Sequence, residues 1–287
     1  MTATERDIEA LAAGDAFARL RGWSVVAIHG ADRAKLIQNL TTNDVKRLAP
    51  GEACESMFTD VKGRVLAFGL IACSDGCLYV LLGSDRAAQL AEHLERYHIR
   101  EDVSITAPGD LAAVAFQGPP GVGFPLEGLG PGWRVAIVGP AEEAVLYEQL
   151  AAAGGRPAAH DAWETLRIAG RFPRDGCDVD AATLPQELAR DASAISFNKG
   201  CYLGQETVAR IDALGHVNRL LVGLAFTGAA PAVGAELLED GKPVGRVTSV
   251  APAPLLGEAL GLGYVRRHAA VAGRELATPA GTALVRG

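Results

Sequence analysis

The residues best suited to chemistry lie in the run KGCYLGQE, at positions 199–206. Cys201 stands between two glycines, with Lys199 before it and Glu206 after it. A helix is predicted from Gly204 to Ala213, so Cys201 precedes a helix N-terminus, where unpaired N–H groups and the helix dipole favour an anion. Together with the charge of Lys199, this position favours the thiolate, the form that acts as nucleophile or metal ligand. The alternative is a small, buried and inert cysteine beside a tight turn.

The other cysteines do not suggest a second site; they are Cys54, Cys73, Cys77 and Cys177. Two of them, Cys73 and Cys77, flank a predicted Asp-Gly turn, and a metal site needs more ligands than this pair provides. The total is odd and the spacing irregular, so no disulfide framework is predicted. No histidines occur at metal-ligand spacing, and we predict no resident metal site.

Composition limits the classes of protein to which the chain can belong. The 287 residues are 49% hydrophobic, enough for two or three domains and a substantial core. The net charge of −7 argues against a protein that coats nucleic acid, although a local basic patch remains compatible with it. The first residues lack an apolar signal core, and no run approaches the ~20 apolar residues of a membrane span. We therefore expect a soluble, cytoplasmic protein in a reducing compartment.

The elements that must position the cysteine are mixed in type. Hydrophobic spacing predicts a helix over residues 4–20, a strand over 23–28, a helix over 31–40 and a β-hairpin over 52–73. Further elements are predicted up to residue 152: strands at 77–82, 103–106, 111–117 and 133–138, and helices at 85–97 and 141–152. Strands and helices alternate without a regular repeat, which predicts an α+β fold rather than a parallel α/β sheet.

The pattern of residue types changes after residue 217. Short apolar runs alternate with glycine and proline, and Asp240-Gly241 is a hairpin signal. This pattern predicts a small antiparallel barrel or sandwich over residues 218–287, with residues 1–217 as the preceding body.

Several stretches of the chain resemble one known family. The run KGCYLGQE, followed by Val208-Ala209-Arg210, is similar to the signature of the YgfZ family. These are folate-binding proteins linked to iron–sulfur cluster assembly and repair and to tRNA modification, and they are relatives of the aminomethyltransferase of the glycine cleavage system. The resemblance extends to residues 23–44, 62–66, 163–168 and 184–187, so it covers most of the chain.

The resemblance implies a fold and a set of site residues. The fold is a folate-binding body of mixed sheets and helices, made of two interleaved subdomains, followed by a small C-terminal β-barrel. Cys201 becomes the key residue, and tetrahydrofolate the expected cofactor. Trp23 and Trp163 match positions that contact folate in the family, and an aromatic wall suits a flat pterin. Glu187 can accept hydrogen bonds from pterin N–H groups. The remaining residues assigned to the site are Lys199, Tyr202, Gln205, Glu206 and Arg210. From the residues alone, core packing is the favoured interpretation of both tryptophans.

The same resemblance implies partners. They are iron–sulfur assembly proteins such as A-type carriers, together with iron–sulfur client enzymes; no direct nucleic-acid or membrane contact is expected. A transient iron–sulfur cluster is a further expectation, and a partner must share it, because such clusters normally have four ligands and one cysteine supplies one.

One departure from the relatives bears on the reaction. The aminomethyltransferases carry an acidic pair where this chain has Ala67 and Phe68, and neither of these can transfer a proton. This argues against aminomethyl transfer and in favour of an accessory factor. Two other functions stay open at this stage, a folate-dependent one-carbon transferase and a docking protein without a ligand.

Overall fold

The computed structural model describes residues 2–286 and has an α+β fold, as predicted. The helices of this part of the chain are α1 Ala3–Ala13, α2 Arg33–Gln38, α3 Ala87–Glu95, α4 Pro140–Ala152, α5 His160–Ala169, α6 Asp191–Ala194 and α7 Gln205–Leu214. The strands are β1 Ala16–Arg19, β2 Ser24–His29, β3 Ala53–Thr59, β4 Val65–Ser74, β5 Cys77–Leu82, β6 Ser104–Thr106, β7 Ala112–Gln117, β8 Phe124–Pro125, β9 Trp133–Val138, β10 Arg156–Pro157, β11 Arg219–Gly228, β12 Glu236–Glu239, β13 Lys242–Val250, β14 Ala259–Arg266, β15 Glu275–Thr278 and β16 Gly281–Arg286.

The body contains two five-stranded sheets whose strands are interleaved along the chain. One sheet has the order β3-β4-β5-β2-β6 and the other the order β10-β1-β7-β9-β8. Neighbouring strands are antiparallel except β1 and β10, which run parallel. Because β1 and β2 are consecutive in sequence but belong to different sheets, the chain links the two sheets from its first thirty residues onward.

The β3–β4 hairpin forms where the sequence predicted it and ends in a tight turn. The carboxylate of Asp60 accepts hydrogen bonds from the backbone nitrogens of Lys62 and Arg64, each at 2.8 Å. Gly63 has φ 74°, a conformation that favours glycine. The turn is therefore fixed by local chemistry, which the run Asp-Val-Lys-Gly already indicated.

The first predicted helix is too long. It ends at Ala13, Gly14 adopts φ 86° as its cap, and residues 16–19 form β1 instead. Phe17 packs its ring against that of Tyr147, with centroids 4.8 Å apart, and pairs with Phe116 of β7. A strand partner a hundred residues away decides this conformation, and helical spacing alone cannot report it.

The C-terminal strands close into a barrel. Their order is β11-β14-β13-β12-β15-β16, and β11 pairs with both β14 and β16. Each of these pairs is antiparallel, and the interior is filled by aliphatic side chains such as Leu224, Val247 and Val265, all fully buried. Closure leaves no unpaired edge between first and last strand.

A buried charge network holds the barrel to the body. Arg167 of α5 is 1% exposed, and its guanidinium donates to Glu164 and to Asp178 at 3.0 Å. Asp178 also accepts hydrogen bonds from Thr248 and Ser249 of β13 in the barrel. Because each charge in the network has a partner, its desolvation is compensated, whereas loss of one partner would leave a buried charge alone.

Among residues 2–286, no helix combines the length and apolar character needed to cross a bilayer.

Candidate functional site

The cysteine segment is anchored by the ammonium group of Lys199, which points into the protein. Its Nζ donates to the backbone carbonyls of Gln38, Thr41 and Asn43, at 2.7, 2.7 and 2.6 Å. All three N–H donors are used, and the ring of Tyr202 lies 5.1 Å from the nitrogen. Burial lowers the pKa of Lys199 to about 8, so the cation still prevails at pH 7, stabilised by three charge-assisted hydrogen bonds.

Backbone contacts bind the rest of the segment to the same N-terminal loop. The hydroxyl of Thr42 donates to the carbonyl of Ala194 at 2.6 Å, and the backbone nitrogen of Leu203 donates to the carbonyl of Asn39 at 2.9 Å. The hydroxyl of Thr59, at the end of β3, donates to the carbonyl of Leu203. Residues 194–203 are thus held by the loop that follows α2 and by the end of β3.

Cys201 is exposed at the outer side of this anchored segment. A Cβ added to the preceding residue, Gly200, would meet no atom within 4 Å, so the chain next to Cys201 is not crowded. The thiol is therefore presented on a fixed backbone and is accessible to a partner. This arrangement is not that of a small buried cysteine, the alternative considered from the sequence.

The expected influence of Lys199 on Cys201 needs correction. The charged and titratable groups that act on the ammonium are Asp44, Cys54 and Lys46, and it is directed towards the loop carbonyls. The side chain positions the segment from within, and its charge is not directed at the Cys201 thiol. Sequence proximity suggested a local electrostatic effect, whereas the long side chain turns inward.

The other thiols have environments that disfavour thiolate. Burial raises the pKa of Cys54 to about 12 and raises that of Cys73 and Cys77. Cys177 is exposed, yet partial desolvation raises the pKa of its thiol too. Within residues 2–286, no group of three or more His, Cys, Asp or Glu side chains is placed to hold a metal ion.

The two tryptophans assigned to folate lie together but leave no slot between them. Their rings pack edge to face with centroids 6.2 Å apart, and Trp163 on α5 is fully buried. Trp133 completes the cluster, with its ring centroid 5.7 Å from that of Trp163. A pterin sandwiched between Trp23 and Trp163 is therefore not compatible with this arrangement of the rings, and binding there requires them to separate.

Unpartnered polar atoms accompany this cluster. The indole nitrogens of Trp23 and Trp163 and the Oε1 atom of Glu164 are buried without a hydrogen-bond partner. Such atoms are uncommon in folded proteins and call for an explanation, such as a ligand or an ordered water. Two N–H donors and one carboxylate oxygen suit a pterin, which carries both acceptors and donors, so the donor set fits a reduced folate although the ring contact is closed.

Glu187 is engaged elsewhere. It is 5% exposed, its Oε2 atom accepts from Arg219 at 2.9 Å and from the backbone nitrogen of Leu184 at 3.1 Å. Arg219 in turn stacks on the ring of Tyr264, 4.3 Å from its centroid. The carboxylate thus joins the cysteine-containing half of the body to β11 and, through Arg219, to β14, and these contacts do not include the Trp23–Trp163 pair.

The last three predicted site residues lie on α7. Gln205 is half-buried at its first turn, and Glu206 and Arg210 are exposed. They share the helix that follows Cys201, and Arg210, further along it, lines a cleft together with Lys62 and Arg64. The predicted residues therefore do not form one site: Cys201 is exposed, Trp23 and Trp163 pack together, and Glu187 pairs with Arg219 of the barrel.

Some residues of the interior were missed in the sequence. Arg190 forms an ion pair with Glu55, which is 5% exposed, and its guanidinium lies 5.5 Å from the ring centroid of Phe172. Phe172 also packs against Phe68, with centroids 5.6 Å apart, and both Ala67 and Phe68 are buried in β4. The two positions where the resemblance implied an acidic pair in the relatives are thus filled by packed apolar groups in this chain. The pairing of Glu55 with Arg190 spans 135 residues and left no local signal.

Comparisons with known proteins agree with this architecture. The model of the glycine cleavage T-protein C-terminal barrel domain matches residues 219–285. The tRNA-modifying protein YgfZ of Yersinia pseudotuberculosis serotype O:1b (strain IP 31758) is 30% identical over 246 residues, which cover 76% of this chain and 73% of the Yersinia protein. The putative chloroplastic transferase At1g60990 of Arabidopsis thaliana is 26% identical over 283 residues, and the match spans 86% of this chain but only 64% of the plant protein.

A solved structure shows the same fold. The glycine cleavage system aminomethyltransferase T of Bartonella henselae superposes with a TM-score of 0.83, covering 99% of this chain and 88% of that chain, at 18% sequence identity. At this identity the likeness concerns the fold and does not extend to activity.

Proposed function

This chain belongs to the YgfZ family, and from that premise we propose that it is a folate-binding accessory factor for iron–sulfur enzymes, with the Cys201 thiol as its working group. The observation that carries the proposal is the exposure of Cys201 on a segment fixed by Lys199. A rigid backbone presents the sulfur, and the exposure of Cys201 beside the uncrowded Gly200 lets a second protein reach it. A preorganised, accessible thiol is what a protein needs to bind iron on a partner.

The proposed chemistry is ligand exchange on a cluster carried by another protein. The Cys201 thiol gives up its proton to solvent, and the sulfur binds iron in place of one ligand supplied by the carrier. The cluster is cargo, because one cysteine provides a quarter of the usual ligand set and the described residues offer no other ligands beside it. The expected partners are A-type carriers and client enzymes in the cytoplasm. Relatives named as tRNA-modifying proteins suggest that the clients include enzymes that modify tRNA.

Reduced folate is proposed as the small-molecule ligand. The unpartnered indole nitrogens of Trp23 and Trp163 and the Oε1 atom of Glu164 would hold its pterin. Bound tetrahydrofolate could supply one-carbon or reducing chemistry; the buried Ala67 and Phe68 offer no group to move a proton to it. Trp23, Trp163 and Glu164 would therefore bind and orient the ligand without catalysing its reaction, which favours an accessory factor over an aminomethyltransferase.

The test combines thiol labelling with cluster transfer. Under native conditions, we expect alkylation at Cys201 and, more slowly, at Cys177, with the three remaining thiols reacting only after unfolding. In anaerobic mixtures with a cluster-loaded A-type carrier, wild type and Cys177→Ala should take up or relay the cluster, measured by absorbance and by mass. Cys201→Ala should fail while melting at the wild-type temperature.

Two results would contradict the proposal. One is a Cys201→Ala variant that relays clusters and restores iron–sulfur enzyme activity in cells as well as wild type does. The other is equal failure of the Cys177→Ala control, which would show that the assay reports general thiol content.

A further inference from the structure

Three concavities meet where α7 is joined to the barrel, and His216 and Val217 line all of them. Two are open clefts of about 840 and 510 Å³, and the third is a smaller cavity of about 220 Å³. We call this region the seam. Neither Cys201 nor the tryptophan cluster lines it; of the predicted site residues, Arg210 does.

The two clefts concentrate positive charge in a chain of net charge −7. Arg266, Arg267 and His268 line the larger cleft, and Lys62, Arg64 and Arg210 line the smaller one. All six side chains belong to exposed residues.

Few of these charges are neutralised. Arg64 and Arg267 donate to the backbone carbonyls of Ala182 and Gly215, which leaves their charges uncompensated. His268 lies 3.3 Å from Glu239 and is not counted among these charges. Clustered cations of this kind attract a partner with several negative charges, and guanidinium groups suit phosphate.

The small cavity needs a ligand with hydrogen-bond donors, whereas the two clefts attract negative charge. The Oε1 atom of Gln186 and the Oδ1 atom of Asp191 are buried there without a hydrogen-bond partner. Gln186 is 6% exposed, and its amide nitrogen donates to the carbonyl of Val208 at 2.8 Å, which fixes the oxygen as the free end. Two unpaired acceptors in one cavity call for a ligand that brings N–H donors.

The remaining walls of the cavity are suited to a flat group. Ile211, Val217 and Leu220 give it apolar surface, and Asp212, His216 and Arg267 border it. Its 220 Å³ correspond to roughly seven waters at liquid density, enough for one heterocyclic base. The occupant should therefore be planar, partly apolar and equipped with an amino group.

We propose that the seam binds single-stranded RNA, with phosphates along the two basic clefts and one amino-bearing base in the cavity between them. Adenine, cytosine and guanine carry an exocyclic amino group that can donate to Gln186 and Asp191, whereas uracil does not. The activity is separate from that of Cys201 and does not depend on it. The net negative charge argued only against a protein that coats nucleic acid, and the two clefts form a local basic patch. The proposal departs from the expectation of no direct nucleic-acid contact, which came from the family resemblance.

Two features favour RNA over an acidic peptide. Carboxylates could occupy the clefts, but an acidic side chain in the cavity would face two unpaired acceptors with no donor. Among the described residues, no Phe, Tyr or Trp lines the clefts, so base stacking is absent there and contact is with the backbone. Base preference should consequently arise only at the cavity.

The experiment measures binding of the full-length protein to labelled RNA 10-mers by fluorescence anisotropy at several salt concentrations. We expect oligo(A) and oligo(C) to bind several-fold more tightly than oligo(U). The double variant Arg210→Glu/Arg266→Glu should lose about tenfold or more in affinity for every sequence. The slope of log binding constant against log salt concentration should become shallower by roughly 1.4, at about 0.7 for each of the two phosphate contacts removed. Asp191→Ala, and independently Gln186→Met, should bring oligo(A) and oligo(C) to the affinity of oligo(U).

The matched control is Arg96→Glu/Arg100→Glu, which changes net charge equally at exposed positions away from the seam. It should retain most of the affinity. The proposal is overturned if the control loses as much as the seam variant, if oligo(U) binds as tightly as oligo(A), or if an oligoglutamate of equal charge binds as well as RNA. The last result would identify an acidic-peptide surface.

Discussion

Gly63 and Gly204 face each other where the β3–β4 turn meets the start of α7. Both have positive φ, 74° and 82°, and a Cβ added to Gly204 would lie 2.9 Å from the Cα atom of Gly63 and 2.5 Å from the carbonyl oxygen of Asp60. Neither position therefore has room for a side chain. This close approach fixes the hairpin turn against the segment that presents Cys201.

Replacing Gly204 by alanine should loosen this contact. We expect Gly204→Ala to lower the free energy of unfolding by about 2 kcal/mol, because the left-handed backbone is strained for alanine and the added carbon collides with backbone atoms. Urea denaturation measures the change. Gly200→Ala is the matched control, since its Cβ would point into open space, and it should be neutral or slightly stabilising. Equal stability of the two variants would show that the turn adjusts freely.

Removing the Lys199 ammonium should destabilise the protein from within. Lys199→Met leaves three loop carbonyls without their donor, and we expect a loss of about 3 kcal/mol in the free energy of unfolding. Lys62→Met, at an exposed position, should change it by less than about 0.5 kcal/mol. A small effect for Lys199→Met, together with a large loss of cluster transfer, would instead give the ammonium a direct role at the thiol.

Folate binding should depend on the indole nitrogens. Titration with tetrahydrofolate should change tryptophan fluorescence, because binding separates the Trp23 and Trp163 rings. By calorimetry, Trp23→Phe and Trp163→Phe should each weaken binding several-fold, since each loses a hydrogen bond of about 0.5–1.5 kcal/mol while an aromatic ring remains. Trp133→Phe is the control, because it belongs to the same cluster but its nitrogen is not a buried unpartnered atom. Undiminished affinity in the double Trp23/Trp163 variant would exclude this pocket.

Asp191 should make stability fall as pH rises through the weakly acidic range. Burial, and secondarily the charge of Asp212, raises its pKa from the ordinary 3.8 to about 6, so between these values the native state binds a proton that the unfolded state has lost. Above pH 6 the native protein carries an unfavourable charge. Asp191→Asn should then be more stable than wild type by about 1–2 kcal/mol, after allowance for partial solvent screening.

The difference between the Asp191→Asn variant and wild type should shrink as pH falls from 6 and vanish well below pH 3.8, where the carboxyl is protonated in both the native and the unfolded state. Urea denaturation at a series of pH values gives the curve, and Asp110→Asn, at an exposed position, is the control. A difference that does not vary with pH would mean that Asp191 is stabilised as a carboxylate.

Features decided by neighbouring residues were predictable from the sequence. The β3–β4 hairpin and the antiparallel strands after residue 217 were found, because turn residues and alternation act locally. Helix α1 was extended too far because β1 depends on pairing with β7, about a hundred residues away. The inward course of Lys199 and the closed contact of Trp23 with Trp163 also depend on distant partners. Residue types identified the thiol, but only the fold shows what surrounds it.

The hydrogen bonds from Lys199 to the loop around Thr41 bear on the order in which the molecule is assembled. They join positions up to 161 residues apart, a separation that makes their closure entropically costly and slow. During synthesis the N-terminal loop leaves the ribosome long before the cysteine run does. Until Lys199 emerges, the loop carbonyls that it will contact are hydrogen-bonded to water. The setting of Cys201 is therefore completed only after most of the chain has been made, and a nascent chain ending before residue 199 cannot form it.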